Sequence, residues 1–315
     1  MTTDRAVCVI GLGLIGGSLL RAAVRAGRTA WGSTESAEDA EAARAEGFDV
    51  ASTVDDALTR AASADALVVL AVPLPAVDGV LRRVRRYAPR CRLTDVASVK
   101  APVAEAVARL APRARYVGGH PMAGSSESGW AAGSASLFEG AAWVVAADEG
   151  LDVRVWADVA GLALATGAAV VPAAIDEHDA AVARISHLPH VLAAVLANVG
   201  ATGGPLALSL AAGSFRDGTR VARSRPELVT AMCEGNRVAL LAAVDDALGR
   251  LGAARGSLAS TGGLAATIGA GHLGRMAYEQ HKPPEVVADL GRPGALARLR
   301  ELGRTGGRVV GLRPS

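Results

Sequence analysis

The chain has 315 residues, 33 basic and 31 acidic, with a formal net charge of +2 and the two signs mixed along its length. That balance excludes the basic face that nucleic-acid binding needs, and the length accommodates two domains. Half of the residues are hydrophobic but only 3% are aromatic, which predicts a core of Ala, Val and Leu. The cysteines, Cys8, Cys91 and Cys233, are odd in number and far apart. They suggest neither a disulfide framework nor a zinc site, and they fit a reducing cytoplasm.

The first predicted element is a strand, Val7–Ile10, running into Gly11-Leu12-Gly13-Leu14-Ile15-Gly16 and a helix over Ser18–Ala26 closed by Gly27. A dinucleotide pyrophosphate site needs this order. The first glycine makes the tight turn, the second lets the backbone approach the phosphates, and the third lets helix and strand pack closely. The helix N-terminus then offers free N–H groups to the anion. The apolar run Ala6–Leu20 could pass for an export signal. However, Met1–Arg5 carries no net charge, and Gly11, Gly13, Gly16 and Gly17 interrupt the run.

A second strand, Thr29–Gly32, ends just before Thr34 and Glu35. An acidic residue about 20 positions beyond the motif would bond the ribose hydroxyls of NAD, and no Arg follows to hold a 2′-phosphate. The pattern favours NAD and leaves NADP open. After a helix over Ala37–Glu46 comes the continuous apolar run Asp65–Val72, a strand buried on both faces, with Val72 at its cofactor end. Next are a helix over Ala76–Tyr87, a strand Arg92–Thr94 and a helix Val99–Leu110. The basic cluster Arg82–Arg86 reads as a solvated helix face. Tyr116–Gly118, Ala142–Val145 and Ala168–Val171 are short strands. The alternation predicts a doubly wound α/β domain over residues 1–172.

Beyond Val171 the pattern turns helical. Ala173–Val199 reads as one long helix, with Asp176-Glu177-His178-Asp179 in its first turns, where acidic residues suit the dipole. Leu206–Ala212, Glu227–Leu251 and Ala253–Thr261 are helix-like, with Pro226 starting the second of these. No strand is expected until Arg308–Gly311. Residues 173–315 therefore read as a helical domain whose Ala-rich helices form a dimer core. Val191–Phe215 is uncharged and long enough to span a bilayer. Gly200, Gly203, Gly204 and Pro205 break it, which predicts two short helices at a subunit interface. A second Gly-x-Gly-x-x-Gly, Gly269–Gly274, has no strand context and reads as a turn or helix-packing cluster.

Four further motifs carry chemistry. Thr94-Asp95-Val96-Ala97-Ser98-Val99-Lys100 lies at a strand end, where ligands bind open α/β sheets. Gly118-Gly119-His120-Pro121-Met122-Ala123-Gly124 sets a histidine between glycines and a proline just past a strand. Ser186-His187-Leu188-Pro189-His190 falls inside the first helix of the second domain. Ser214–Arg220 reads as a Gly-flanked loop whose Arg216 and Arg220 could each hold a carboxylate by parallel hydrogen bonds.

In order and composition these motifs resemble the prephenate/arogenate dehydrogenase family of tyrosine biosynthesis, from about Val7 to about Gln280. The resemblance implies a Rossmann domain followed by an all-helical dimerisation domain, and NAD-dependent oxidative decarboxylation of prephenate to 4-hydroxyphenylpyruvate. The amino counterpart, arogenate to tyrosine, stays open. It also implies roles: His120 as the base and Ser98 as its orienting partner, both catalytic; Ser186, His190 and Ser126 at the substrate; Arg220 on a substrate carboxylate. The cofactor would lie on Gly11, Leu12, Gly13, Leu14, Ile15, Gly16, Thr34, Glu35 and Val72. Ser126 and Val229 depart from the family pattern near the substrate side chain, which leaves keto against amino undecided. The sequence offers no metal-ligand cluster, and the expected partners are a small-molecule substrate and a second copy. Two other classes compete. A β-hydroxyacid or imine reductase would want a lysine in the helical domain, yet the only lysines are Lys100 and Lys282. A non-catalytic dinucleotide sensor has no need for His120, Ser98 and Arg220 together.

Overall fold

The computed structural model describes residues 5–125 and 127–313. The chain divides into two compact units. The first comprises Met1–Asp179, Arg223–Gly235 and Glu285–Ser315; the second comprises Ala180–Ala222 and Asn236–Pro284.

The first unit opens with a parallel sheet of β1 (Val7–Ile10), β2 (Ala30–Ser33), β3 (Leu67–Leu70), β4 (Arg92–Asp95) and β5 (Arg115–Tyr116), in the order β2-β1-β3-β4-β5. β1 and β3 are buried along their whole length, which is why they read as unbroken apolar runs. The strand order switches at β1/β3, and ligands bind outside the carboxyl ends at such a point. Among the helices of this unit that escaped the sequence pattern, two carry side-chain caps. Val54–Ser63 is capped by Thr53, whose Oγ1 accepts from the Asp56 N–H at 3.1 Å. Val153–Ala165 is capped by Asp152, which accepts from the Arg154 N–H at 2.9 Å.

The expected strand Tyr116–Gly118 divides. β5 ends at Tyr116, and after Val117 and Gly118 the chain starts a second, mixed sheet. Its strands are β6 (Gly119–Pro121), β7 (Ala142–Ala146), β8 (Ala169–Ala173), β9 (Glu285–Ala288) and β10 (Arg308–Leu312), in the order β6-β7-β8-β10-β9. Residues 285–313, expected with the helical domain, thus complete a sheet of the first unit. The helix Ala295–Arg304 lies so close to β8 that a Cβ on Gly303 would sit 1.6 Å from the Pro172 carbonyl oxygen. Glu177 accepts from Arg300 Nε at 3.1 Å and from Arg304 Nε at 2.6 Å, and these bonds, the Arg300 bond foremost, hold its carboxyl down to about 2.

The core also departs from an Ala, Val and Leu expectation. Few as the aromatics are, Trp31, Trp130, Trp143, Trp156 and Phe138 are all at most 1% exposed. Each large ring fills a volume that several alanines would leave loose; truncating one to Ala costs about 3–5 kcal/mol.

The second unit is helical. The long helix expected over Ala173–Val199 begins in the first unit and is interrupted: Ile175–Val182 is followed by a π-helical turn, Ala183–His187, and then by Leu188–Thr202. Gly204–Ser209, Gly213–Thr219, Arg237–Ser260 and Ala265–Gln280 complete the set. Asn236 breaks the single helix expected over Glu227–Leu251, so Pro226–Gly235 is separate and belongs to the first unit. The glycine cluster Gly269–Gly274 lies in mid-helix. Within the second unit Leu192, Leu196, Val199, Leu206, Leu210 and Leu251 are exposed. Among the described residues, the 28-residue helical run Ile175–Thr202 is long and apolar enough to cross a membrane by length and composition.

Candidate active site

The first and third glycines of the N-terminal turn are fixed by packing. Gly11 has φ +99°, and a Cβ there would lie 2.5 Å from the Ala71 carbonyl oxygen and 2.9 Å from Val72 Cγ1. A Cβ on Gly16 would lie 1.9 Å from the Gly11 carbonyl oxygen. By contrast, a Cβ on Gly13 would meet nothing within 4 Å. Gly13 is also the N-cap of the helix Leu14–Arg25 and supplies no side-chain cap to its first N–H groups. An open backbone approach joined to an uncapped helix N-terminus fits a pyrophosphate. Leu12 is wholly buried and fills the space beside Gly32, so only its backbone is available to a ligand; Leu14 and Ile15 are half-buried. Gly17 and Ser18 have a packing task. The Trp130 ring lies 2.9 Å from where a Gly17 Cβ would be, and Ser18 Oγ accepts from the Ser134 N–H at 2.9 Å.

At the end of β2, Thr34 Oγ1 accepts from the Ser36 N–H at 3.3 Å. Glu35 is exposed and faces Arg83 at 3.7 Å; Arg83 also reaches Asp55 at 3.5 Å. A search for an arginine directly after the second strand misses Arg83, because the helix Val77–Tyr87 delivers it from 48 positions away. Val72 lies two residues past the end of β3, with its side chain against Gly11.

The β4 and β6 ends meet through glycine. A Cβ on Gly119 would lie 2.8 Å from the Asp95 carbonyl oxygen and 3.1 Å from Thr94 Oγ1. Lys100, fully buried, pairs through Nζ with Asp95 Oδ1 and donates to the Gly119 carbonyl at 2.6 Å. Tyr116 donates to Asp95 Oδ2 at 2.6 Å, and the Ala97 N–H to Asp95 Oδ1 at 2.8 Å. Burial lowers the Lys100 pKa, with Asp95 opposing, and burial beside Asp95 raises that of Tyr116 well above the ordinary phenol. Removing one partner from such a buried pair costs about 3–5 kcal/mol. Asp95 and Lys100 thereby seat the strand that carries His120.

His120 lies within β6 rather than past a strand, paired with Val144 of β7, and is half-buried. Its Nδ1 is 2.8 Å from His178 Nε2, and His178 Nδ1 is 2.7 Å from Asp179 Oδ1. Asp179 accepts the Lys100 N–H on Oδ1 and the Ala101 N–H on Oδ2, each at 2.9 Å. Burial raises the Asp179 pKa, but the His178 bond and the two backbone N–H groups outweigh it and hold the carboxyl below its usual range. Ser98, half-buried, sits on the loop from β4 to the helix Ala101–Leu110 that also carries Lys100. His178 and Asp179 read in the sequence as dipole-matching acids and neighbours. The signal that could have singled them out is an adjacent His-Asp pair one turn beyond a strand end.

The remaining expected residues lie in the second unit, except Ser126, which lies outside the described residues. Ser186 falls in the π-helical turn, a feature frequent at functional sites. His190 Nδ1 donates to the Ser186 carbonyl at 2.8 Å, and both side chains are half-buried. His187, absent from the expected site, is fully buried with Nδ1 3.1 Å from Asn236 Nδ2. The stretch expected as a loop around Arg216 is the helix Gly213–Thr219, and Arg220 begins a 3₁₀ turn, exposed. Phe215 explains the helix: its ring lies against Gly200, 2.3 Å from where a Cβ would be.

A glycine turn at the switch point of a parallel sheet, followed by a helical unit, defines a dinucleotide-binding protein of two parts. The nucleotide-binding domain of prephenate dehydrogenase matches residues 19–172, and the dimerization domain of the same enzymes matches residues 174–261. The chain is 34% identical to a prephenate dehydrogenase of Bacillus subtilis over 230 residues, 70% of this chain and 62% of that one, and so spans less than two thirds of that relative. It is 31% identical to a cyclohexadienyl dehydrogenase of Zymomonas mobilis over 274 residues, 84% of this chain and 92% of that one. A solved structure from Corynebacterium glutamicum, provisionally named a prephenate dehydrogenase, superposes with a TM-score of 0.93 at 45% identity, covering 98% of this chain and 99% of that one. The chain belongs to the prephenate dehydrogenase family.

Proposed function

We propose that this protein is an NAD-dependent dehydrogenase that oxidatively decarboxylates prephenate to 4-hydroxyphenylpyruvate. The observation that carries the reading is His120, an imidazole held on β6 beside the end of β4 with Nδ1 already engaged. A nicotinamide, when bound, supplies the acceptor for a hydride. Gly11, Gly13 and Gly16 would hold its pyrophosphate and Glu35 its adenosine ribose, with Arg83 the residue to watch for a 2′-phosphate. His120 takes the proton of the ring hydroxyl as the carbinol carbon loses hydride. The resulting ketone is conjugated with the two ring double bonds that flank the carbon bearing the carboxylate, so it can accept the pair released there. That carboxylate leaves as carbon dioxide, its bonding pair completes the aromatic ring, and the oxygen regains a proton. The protein's tasks are positioning and one base. Ser98 is the hydroxyl that would steady the reacting oxygen. Ser186, His190 and Ser126 are substrate contacts in this reading, and Arg220 the carboxylate partner.

A second copy is the proposed partner. It would cover the exposed leucines of the second unit, which a chain acting alone would leave against water. Turnover of prephenate and of arogenate with NAD and with NADP, followed by nicotinamide absorbance, tests the reading. Preference for prephenate and NAD is expected. Turnover confined to arogenate or to NADP would correct the substrate or cofactor, and no turnover with any pair would refute the function.

A further inference from the structure

We propose that His178 and Asp179 are positioning residues that fix His120 in one tautomer, with its proton on Nδ1 and its Nε2 lone pair turned to the substrate hydroxyl. The inference rests on the reading of His120 as the base. The directions of the hydrogen bonds follow from one end. Asp179 receives two backbone N–H groups, one on each oxygen, at the first turn of the helix Ala101–Leu110. Both oxygens therefore act as acceptors, as in an ionised carboxylate, and the helix N-terminus favours that charge. His178 Nδ1, 2.7 Å away, must donate to Asp179. A neutral imidazole that donates from one nitrogen accepts at the other. His178 Nε2 is then an acceptor, and His120 Nδ1, at 2.8 Å, must donate to it. With its proton on Nδ1, the basic nitrogen of His120 is Nε2.

His178 and Asp179 are 3% and 6% exposed, so water does not compete for these bonds. The two rings meet edge to face, 81° apart with centroids at 5.1 Å, so His120 cannot rotate about its ring axis without breaking the bond. Lys100 ties the relay together, since its N–H holds Asp179 while its Nζ holds Asp95 and the carbonyl of Gly119, the neighbour of His120. The charged and titratable groups around the relay are Asp95 and Lys100 from β4 and its loop, Tyr116 from β5, and Asp148 after β7, which accepts the Ile175 N–H. When the substrate proton reaches Nε2, the resulting imidazolium is stabilised through His178 by the Asp179 carboxylate. The relay thus sets both the direction and the strength of the base.

The test has two arms on the full-length protein. In the first, nitrogen-15 NMR of the histidine rings is measured near neutral pH, with His120→Asn to assign the signals. The expected result is His120 neutral with its proton on Nδ1, and a mixture of tautomers in Asp179→Asn. A His120 proton on Nε2 in the unmodified protein overturns the relay, whatever the activity. In the second arm, kcat, KM and the acid limb of the pH profile are compared for His178→Phe, His178→Gln and Asp179→Asn with NAD and prephenate. His178→Phe should lower kcat by roughly 100-fold with KM little changed. His178→Gln, whose carbonyl can still accept from His120 Nδ1, should recover much of that loss. In Asp179→Asn the acid limb should move to lower pH by about one unit, as loss of a nearby opposite charge requires. Equal losses for Phe and Gln with an unmoved acid limb would make the role merely structural. The Nδ1 tautomer without turnover of any substrate would uphold the relay and refute the proposed function instead.

Discussion

The chain carries the Gly-x-Gly-x-x-Gly spacing twice, once in each unit, and the two copies live in different physical settings. In the first, Gly11 adopts φ +99°, and side chains on Gly11 or Gly16 would run into backbone at 2.5 and 1.9 Å. In the second, Gly269, Gly271 and Gly274 sit inside the helix Ala265–Gln280, and a Cβ on any of them would meet nothing within 4 Å. Identical spacing thus marks a built turn in one place and open helix surface in the other. What separates them is context, a buried strand before the turn and a second strand end, Ala71 and Val72, pressed against it. The units differ in the same sense. The first buries its apolar residues in two clusters, while the second presents leucines outward.

The largest expected effect lies in the first motif. Gly16→Ala should destabilise the first unit by roughly 4 kcal/mol or more, because backbone and not a flexible side chain must move; calorimetric melting and NAD titration read the loss. A Gly16→Ala protein that melts and binds NAD normally would erase the distinction. Next, Leu206→Glu with Leu210→Glu, both on exposed leucines, should weaken self-association by about 2 kcal/mol or more. Sedimentation would show monomer replacing dimer with the first unit's melting unchanged. An unaltered dimer would place the interface elsewhere.

A smaller effect concerns the seam that fixes residues 285–313 in the first unit. The Glu177 carboxyl is held at about 2, below an unfolded value of about 4.3. Its contribution to stability is therefore complete above about pH 4.3 and is lost as the pH falls toward 2. Glu177→Gln should lower stability at neutral pH and flatten the decline between those values, which melting across acidic buffers would register. The smallest effect returns to the second motif. Gly271→Ala should leave NAD binding intact and stabilise its helix by about 0.5–1 kcal/mol.

These contrasts explain what the residues made legible. Strands β1 and β3 announced themselves because strands buried on both faces are uniformly apolar, and the glycine turn because its spacing is local. The helix Val54–Ser63 passed unnoticed although Thr53 and Asp56 form a capping pair, since five of its ten residues are charged or polar and its apolar face is narrow. β9 was invisible for another reason. Glu285–Ala288 is four residues long, follows Pro283 and Pro284, and becomes a strand only by pairing with β10. In the site, His120 and Ser98 stood out because they sit in glycine- and proline-marked loops and strand ends. His178 did not, because its partner lies 58 residues away on another element and nothing local distinguishes a relay histidine from one among acids at a helix start. Likewise Asp95 was part of a quoted motif, but its hold on Lys100 and Tyr116 exists only once β4, β5 and β6 converge.

The most direct measurement compares the unmodified protein with His120→Asn, following prephenate, NADH and carbon dioxide together while NAD affinity is determined on the same samples. The expected result is one NADH and one carbon dioxide per prephenate for the unmodified protein, and a kcat lowered by roughly 100-fold or more with NAD affinity retained for the variant. Near-normal kcat in His120→Asn would contradict the assignment of the base and with it the proposed mechanism.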